Sequence, residues 1–138
     1  KILEANANLS VKHEANPVVD AETLFRARKM VDGVYLDDKL KGYLVDVVLA
    51  TRQPDRYGAS ELSAFIRFGA SPRATISLAL ASKAVAFMNG RSFVTPQDIK
   101  DVGLDVLRHR VIVSYEAEAE DVSSDDIIQK IFETVPVP

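Results

Sequence analysis

Apolar positions along the chain recur mostly at helical spacing. Asp20 stands where an N-cap belongs, and Leu24, Ala27 and Val31 follow on one face, which predicts a helix over 21–31 that stops at Gly33. Val34-Tyr35-Leu36 reads as a short extended bridge. From Asp37 or Asp38 onward, Leu40, Tyr43, Leu44, Val47, Val48 and Thr51 fall at i, i+3, i+4, i+7, i+8 and i+11, the stripe of an amphipathic helix that Pro54 ends near Gln53. Residues 54–69 mix proline, two glycines and polar residues with Leu62, Phe65 and Ile66, so they form a long connection that packs at least in part.

Ser71-Pro72 is a helix start, because serine can cap orphan amides and proline at the first helical position loses no hydrogen bond. The helix behind it runs to about Met88 and is apolar nearly all round, with only Thr75, Ser77, Ser82 and Lys83 as polar interruptions. That pattern predicts a central helix of a bundle, with Leu80 and Val85 in the core. Asn89-Gly90 closes it, and Thr95-Pro96-Gln97-Asp98 opens a short helix by the same cap-then-proline logic. Gly103 is expected to break that helix, leaving residues 104–109 as a further turn or two. Val111-Ile112-Val113 is the one candidate strand, residues 116–121 read as an acidic surface stretch, and Ser123 caps a last helix carrying Ile127, Ile128 and Ile131. Every long element is helical, so the expected fold class is an all-α helical bundle with short irregular or extended connections, a single domain over 1–138.

Composition narrows the function. Apolar residues at 47% and charged residues at 27% place the chain with ordinary globular domains. The net charge of −3 supplies no basic field for a phosphate backbone or an anionic membrane, so no nucleic acid partner is expected. That balance, with no clustered Lys or Arg on one predicted helix, also speaks against a helix-turn-helix DNA binder around residues 95–109. No apolar run approaches the roughly 20 residues of a membrane-spanning helix, so no membrane insertion is expected. The absence of cysteine fits a cytoplasmic protein. The chain opens at Lys1-Ile2-Leu3-Glu4 without a start methionine, which suggests a piece of something longer.

Most catalytic constellations are missing. There is no G-x-x-x-x-G-K-[ST] loop and no G-x-G-x-x-G, and with His13 and His109 as the two histidines neither a zinc site nor a nucleophile–base arrangement is suggested. Asp37, Asp38, Asp125 and Asp126 sit in pairs at helix starts, where the dipole accounts for them. Arg73 is different. Ser71-Pro72 places it in the first turn of a helix, where a cation opposes the macrodipole by roughly 0.3 to 1 kcal/mol. A bound phosphate would reverse that penalty, since a helix N-terminus and a guanidinium together form an anion site. The plainer alternative is an arginine in solvent or in a surface ion pair. Arg108, His109 and Arg110 could form a basic patch, although cations at a helix C-terminus are already favoured by the dipole. The acidic run Glu116, Glu118, Glu120 and Asp121 is most simply a solvated surface.

Three segments resemble one family. Gly69-Ala70-Ser71-Pro72-Arg73-Ala74 is similar to the G-A-S-P-R-A signature that opens the sensor 2 helix of MoxR-type AAA+ ATPases. Gly90-Arg91-Ser92-Phe93-Val94-Thr95-Pro96-Gln97-Asp98-Ile99 resembles that family's G-R-x-[YF]-V-T-P-x-D-[VI] segment, and Val106-Leu107-Arg108-His109-Arg110 its V-L-R-H-R segment. The likeness runs from about Leu3 through Thr134. It implies a C-terminal lid that follows an ATPase core, absent here together with its phosphate loop, Walker B acids, sensor 1 and arginine finger. It also implies ATP and Mg2+ as cofactors of the full-length protein, with Arg73 as the nucleotide-binding residue that contacts the γ-phosphate. By the same resemblance the partners are the upstream core, further copies in a homo-oligomeric ring, usually a hexamer, and proteins bearing von Willebrand factor A domains in chaperone-like maturation. The rival reading is a stand-alone helical protein-binding adaptor that never meets nucleotide.

Overall fold

The computed structural model describes residues 16–138, and the opening segment with Lys1, Leu3 and His13 lies outside the described residues. Six α-helices follow in order: α1 (Ala21–Asp32), α2 (Asp38–Ala50), α3 (Arg73–Met88), α4 (Pro96–Leu107), α5 (Tyr115–Ala119) and α6 (Ser124–Thr134). Two 3-10 turns, Pro54–Tyr57 and Ser60–Leu62, and the strand β1 (Ile66–Phe68) lie between α2 and α3, while β2 (Ile112–Val113) lies between α4 and α5. The two strands form one small antiparallel ribbon, so the fold is all-α with a minor β element. Among the described residues no helix is long and apolar enough to cross a membrane.

Side-chain caps set the helix starts. Asp20 accepts from the Thr23 amide at 2.7 Å and Asp37 from the Lys39 amide at 2.8 Å. Thr95 with Asp98, and Ser123 with Asp126, form reciprocal capping boxes that satisfy two orphan amides each. The α2 stripe is buried as its spacing predicts, with Leu40, Tyr43, Leu44, Val47, Val48 and Thr51 all in the core. Ile99 and Leu107 of α4 and Ile127, Ile128 and Ile131 of α6 complete it. The link 34–36 is extended: Tyr35 pairs with Phe93 in a single parallel bridge, its amide donating to the Ser92 carbonyl at 2.8 Å. The connection 54–69 packs through Leu62, which is buried, and through Phe65 and Ile66, which are half-buried.

The structure corrects two expectations. The helix α3 is not buried all round: only Ala74, Leu78, Ser82 and Ala86 are buried, a seam with a strict four-residue repeat, while Leu80 is 53% exposed and Val85 half-buried. Small residues on the seam let neighbouring helices approach closely, and the far face is left uncovered among the described residues. There Ile76 and Leu80 line an open groove of about 640 Å³ together with Tyr35, Val45 and Lys83. Gly103 does not break α4, which runs through it to Leu107. A Cβ at Gly103 would lie 2.3 Å from two ring carbons of Phe132, so the glycine makes room for the α6 side chain that crosses there. Within the acidic stretch, to which the sequence reading assigns no element, residues 115–119 form the short helix α5, because Ser114 caps it and Ala117 is fully buried. The acids Glu116, Glu118, Glu120 and Asp121 are exposed, as the surface reading requires.

Leu78→Ala is therefore expected to lower stability by about 2 to 5 kcal/mol in a denaturant titration, and Leu80→Ala by less than about 1 kcal/mol. Gly103→Ala should destabilise by about 1 to 3 kcal/mol through overpacking against Phe132. Equal losses at Leu78 and Leu80 would contradict the one-sided seam.

Candidate functional site

The segment that presents Arg73 is fastened to the end of α2. Thr51 follows the last turn of α2 with its hydroxyl buried; Oγ1 donates to the Val48 carbonyl at 2.6 Å and accepts from the Ala70 amide at 2.9 Å. A Cβ on Gly69 would sit 2.1 Å from the Thr51 carbonyl oxygen and 2.8 Å from Cγ of Arg52, so the close approach of the two backbones requires glycine. Arg52 closes the clamp by donating from Nη1 to the Ala70 carbonyl at 3.3 Å. Ala70 and Ala74 are fully buried on either side of the exposed Ser71, Pro72 and Arg73. Pro72 has helical dihedrals (φ −53°, ψ −23°), and Ser71 Oγ accepts from the Arg73 amide at 3.3 Å, so the chain enters the helix at Pro72 although the α-helical pattern begins at Arg73.

The electrostatics of this helix start set it apart. The first turns of α1, α2, α4, α5 and α6 each carry at least one acid, namely Glu22, Asp38, Asp98, Glu116 and Asp126. The first turn of α3 has none and carries Arg73 instead. Among the described residues no carboxylate lies within ion-pair distance of Arg73, so the surface ion pair that its position allowed is not formed within them. The Arg73, Ala74 and Thr75 amides are bonded locally, to Ser71 Oγ and to the Ser71 and Pro72 carbonyls, so what remains at this helix start is an exposed guanidinium in the positive field of the dipole, an arrangement that an anion would stabilise.

A second arginine of the motif segments does a different job. Gly90 (φ 71°) ends α3 in a Schellman turn, in which the Arg91 amide donates to the Ala86 carbonyl and the Gly90 amide to that of Phe87, each at 2.9 Å. Arg91 then grips Asp98 with both terminal nitrogens, at 2.6 and 2.5 Å, and Asp98 accepts further bonds from the Thr95 amide (2.7 Å) and hydroxyl (2.8 Å). The Arg91 hydrogen bonds, outweighing burial and helped by Thr95, hold the Asp98 carboxyl down at about 2. This clasp between α3 and α4 was not read from the sequence, although the Gly-Arg preceding a Thr-Pro-x-Asp capping box is its visible trace.

The remaining candidates are accounted for locally. Arg108 bonds the Leu104 carbonyl at 3.3 Å and faces Asp105 and Asp125 at 3.5 and 3.4 Å, while Arg110 contacts the Val106 carbonyl and the ring of His109. These cations cap the end of α4. Asp38 pairs with Lys41 at 2.7 Å, and Asp126 with Ser123 in its capping box. Among the described residues no cluster of His, Asp and Glu is arranged to hold a metal ion.

The chain is a helical bundle, and the family model for the AAA lid domain matches residues 59–131. Chaperone MoxR1 of Mycobacterium tuberculosis is 34% identical over 125 residues, which covers 91% of this chain and 33% of that protein. Protein MoxR of Paracoccus denitrificans is 34% identical over 112 residues, covering 77% of this chain and 33% of that protein. The crystal structure of a proposed ATPase from Cytophaga hutchinsonii superposes with a TM-score of 0.89 at 36% identity, covering 99% of this chain and 42% of that one. The chain belongs to the lid domains of the MoxR-type AAA+ ATPases. It spans about a third of the length of the curated relatives it matches.

Two outcomes test the site's frame. A carboxyl whose pKa is lowered by folding stabilises the fold above its unfolded value and loses that contribution as pH falls through the folded one. For Asp98, lowered from 3.8 to about 2, about 2 kcal/mol should be lost between about pH 4 and pH 2. Asp98→Asn should remove this acid dependence and lower the neutral-pH stability by about the same amount, measured by denaturant titration across pH. Thr51→Val, which keeps shape and strands the Ala70 amide, should destabilise by about 1 to 3 kcal/mol.

Proposed function

We propose that this lid covers the nucleotide held by a AAA+ core of the same polypeptide and that Arg73 senses the γ-phosphate. The observation that carries the reading is the clamp from Thr51 and Arg52 to Gly69 and Ala70, which fixes the backbone from which an exposed guanidinium projects at an acid-free helix start. A group so placed stabilises charge developing on a transferring phosphoryl group, and makes the lid's position depend on whether that group is present. The chain offers no phosphate loop and, among the described residues, no metal-ligand cluster, so phosphate cradling and Mg2+ ligation fall to the core. The whole protein is then a cytoplasmic, ring-forming ATP hydrolase, hexameric by family resemblance, whose lid movements drive chaperone-like remodelling of partners such as proteins with von Willebrand factor A domains. The relatives named as chaperone and as MoxR support the chaperone part of that reading.

The apolar groove between α2 and α3 favours a second reading, a stand-alone helical adaptor that binds another protein. The two part at Arg73. In a protein that includes the core, Arg73→Ala should reduce the steady-state ATPase rate or its coupling by at least tenfold, the scale of a lost transition-state hydrogen bond, roughly 1.4 kcal/mol or more. In the 138-residue chain the same substitution should leave the melting midpoint unchanged or slightly raised, because it removes a charge opposed by the dipole and no core contact. The chain alone should not hydrolyse ATP. Unchanged turnover with a strongly lowered midpoint would make Arg73 a structural residue and leave the adaptor standing.

A further inference from the structure

Beside the clamp, the turn Pro54–Tyr57, the strand β1 and Gly69 enclose a second, polar pocket of about 470 Å³. Three arginines line it, Arg52, Arg56 and Arg67, with Gln53, Ser63 and Asp55 as further polar groups. This gathering is unusual for a chain of net charge −3. Among the described residues Lys41 meets Asp38, Arg91 meets Asp98, Arg108 meets Asp105 and Asp125, and Lys130 meets Glu61, while the other lysines and arginines meet no carboxylate. In the pocket, among the described residues, Arg52, Arg56 and Arg67 have no carboxylate within ion-pair distance. The one acid there, Asp55, accepts a bond from the Ser63 hydroxyl at 2.7 Å.

The arginines reach the pocket from separate elements that the fold fixes. Arg52 is held by its bond to the Ala70 carbonyl. Arg56 rides on a turn anchored by the buried Pro54 and closed by Gly58 at φ 77°. Arg67 is the extra residue of a β-bulge, since Ile66 pairs with Val113 and Phe68 with Ile112, and its guanidinium carbon lies 5.5 Å from the centre of the Phe68 ring. A bulge re-aims a side chain at the cost of ladder pairing, and this one contributes a cation to a concave wall. Three arginines against the single acid Asp55 leave the pocket wall with an excess of positive charge that an anion would offset. The volume lies within the range of small-molecule sites and exceeds what one simple oxyanion fills.

We propose that Arg52, Arg56 and Arg67 form a binding site for a small ligand carrying two or more linked phosphoryl groups. Planar guanidinium forks match phosphate oxygens in pairs, and three of them balance the charge of such a group. The site is separate from Arg73, and binding here requires nothing of that residue.

Inorganic pyrophosphate titrated into the isotope-labelled 138-residue chain at about 0.15 M salt, where long-range charge effects are screened, tests this by amide chemical shifts. Saturable shifts at Arg67 and Gly69 are expected. Arg56→Gln with Arg67→Gln should weaken binding roughly tenfold or more, equivalent to about 1.4 kcal/mol, with an unchanged melting midpoint because both residues are exposed. Arg56→Gln alone should give an intermediate loss. Absence of saturable binding overturns the site. So does binding that survives the double substitution but disappears in Arg73→Ala, which would place the anion on the α3 start. A tetraglutamate peptide that binds more tightly than pyrophosphate would replace the small ligand with an acidic protein segment and also overturn it.

Discussion

Thr51 sits fully buried where α2 ends, and its hydroxyl is shared between the last turn of its own helix and the amide of Ala70, nineteen residues on. That contact works only because the next backbone over carries glycine: any Cβ at Gly69 would occupy the space of the Thr51 carbonyl. A long connection with two 3-10 turns and a strand is thereby returned to a defined point, and α3 starts there in a fixed direction. The core stripe of α2, the seam of α3 and the exposure of Arg73 all depend on this one approach of two backbones. A hydroxyl that both donates and accepts in the interior leaves no buried polar group behind, which lets the clamp sit within the core.

Two arginines near the ends of the same helix show how environment assigns roles. Arg91, just past the C-terminus of α3, is drawn into a bidentate bond with a nearly buried carboxylate that also caps α4, so its charge is spent inside the molecule. Arg73, at the N-terminus, meets no carboxylate among the described residues and lies in the positive field of the helix start. The first locks two helices into one body, and the second leaves a charge available to something outside it. Together they give a rigid interior and an exposed cation that starts from a backbone the interior positions.

The uneven covering of α3 matters in the same way. Its seam of Ala74, Leu78, Ser82 and Ala86 is sealed, yet Ile76 and Leu80 border an open groove with Tyr35 and Val45. Among the described residues nothing covers this face of α3. Residue apolarity therefore overstates burial here, because burial depends on which neighbours are present.

Local signals determined much of this protein by themselves. Caps at Asp20, Thr95 and Ser123, the helix start at Asp37 or Asp38, the stripe from Leu40 to Thr51 and the glycine stop at Gly90 were legible because each is an interaction within a few residues, governed by backbone geometry. The placing of Arg73 at a helix start was legible for the same reason, while the role proposed for it came from resemblance. What stayed hidden was every feature that joins residues far apart in the chain. Gly103 looks like a helix breaker until Phe132 lies across it, Leu80 looks like core until the neighbouring helices leave it bare, and the acid–alanine run conceals α5 until Ala117 finds the interior. Arg52, Arg56 and Arg67 are scattered surface charges in the sequence, and they become one pocket through a turn, a bulge and a clamp. Helical periodicity and capping are short-range effects written into consecutive residues, whereas close packing and charge convergence depend on distances that only the folded chain sets.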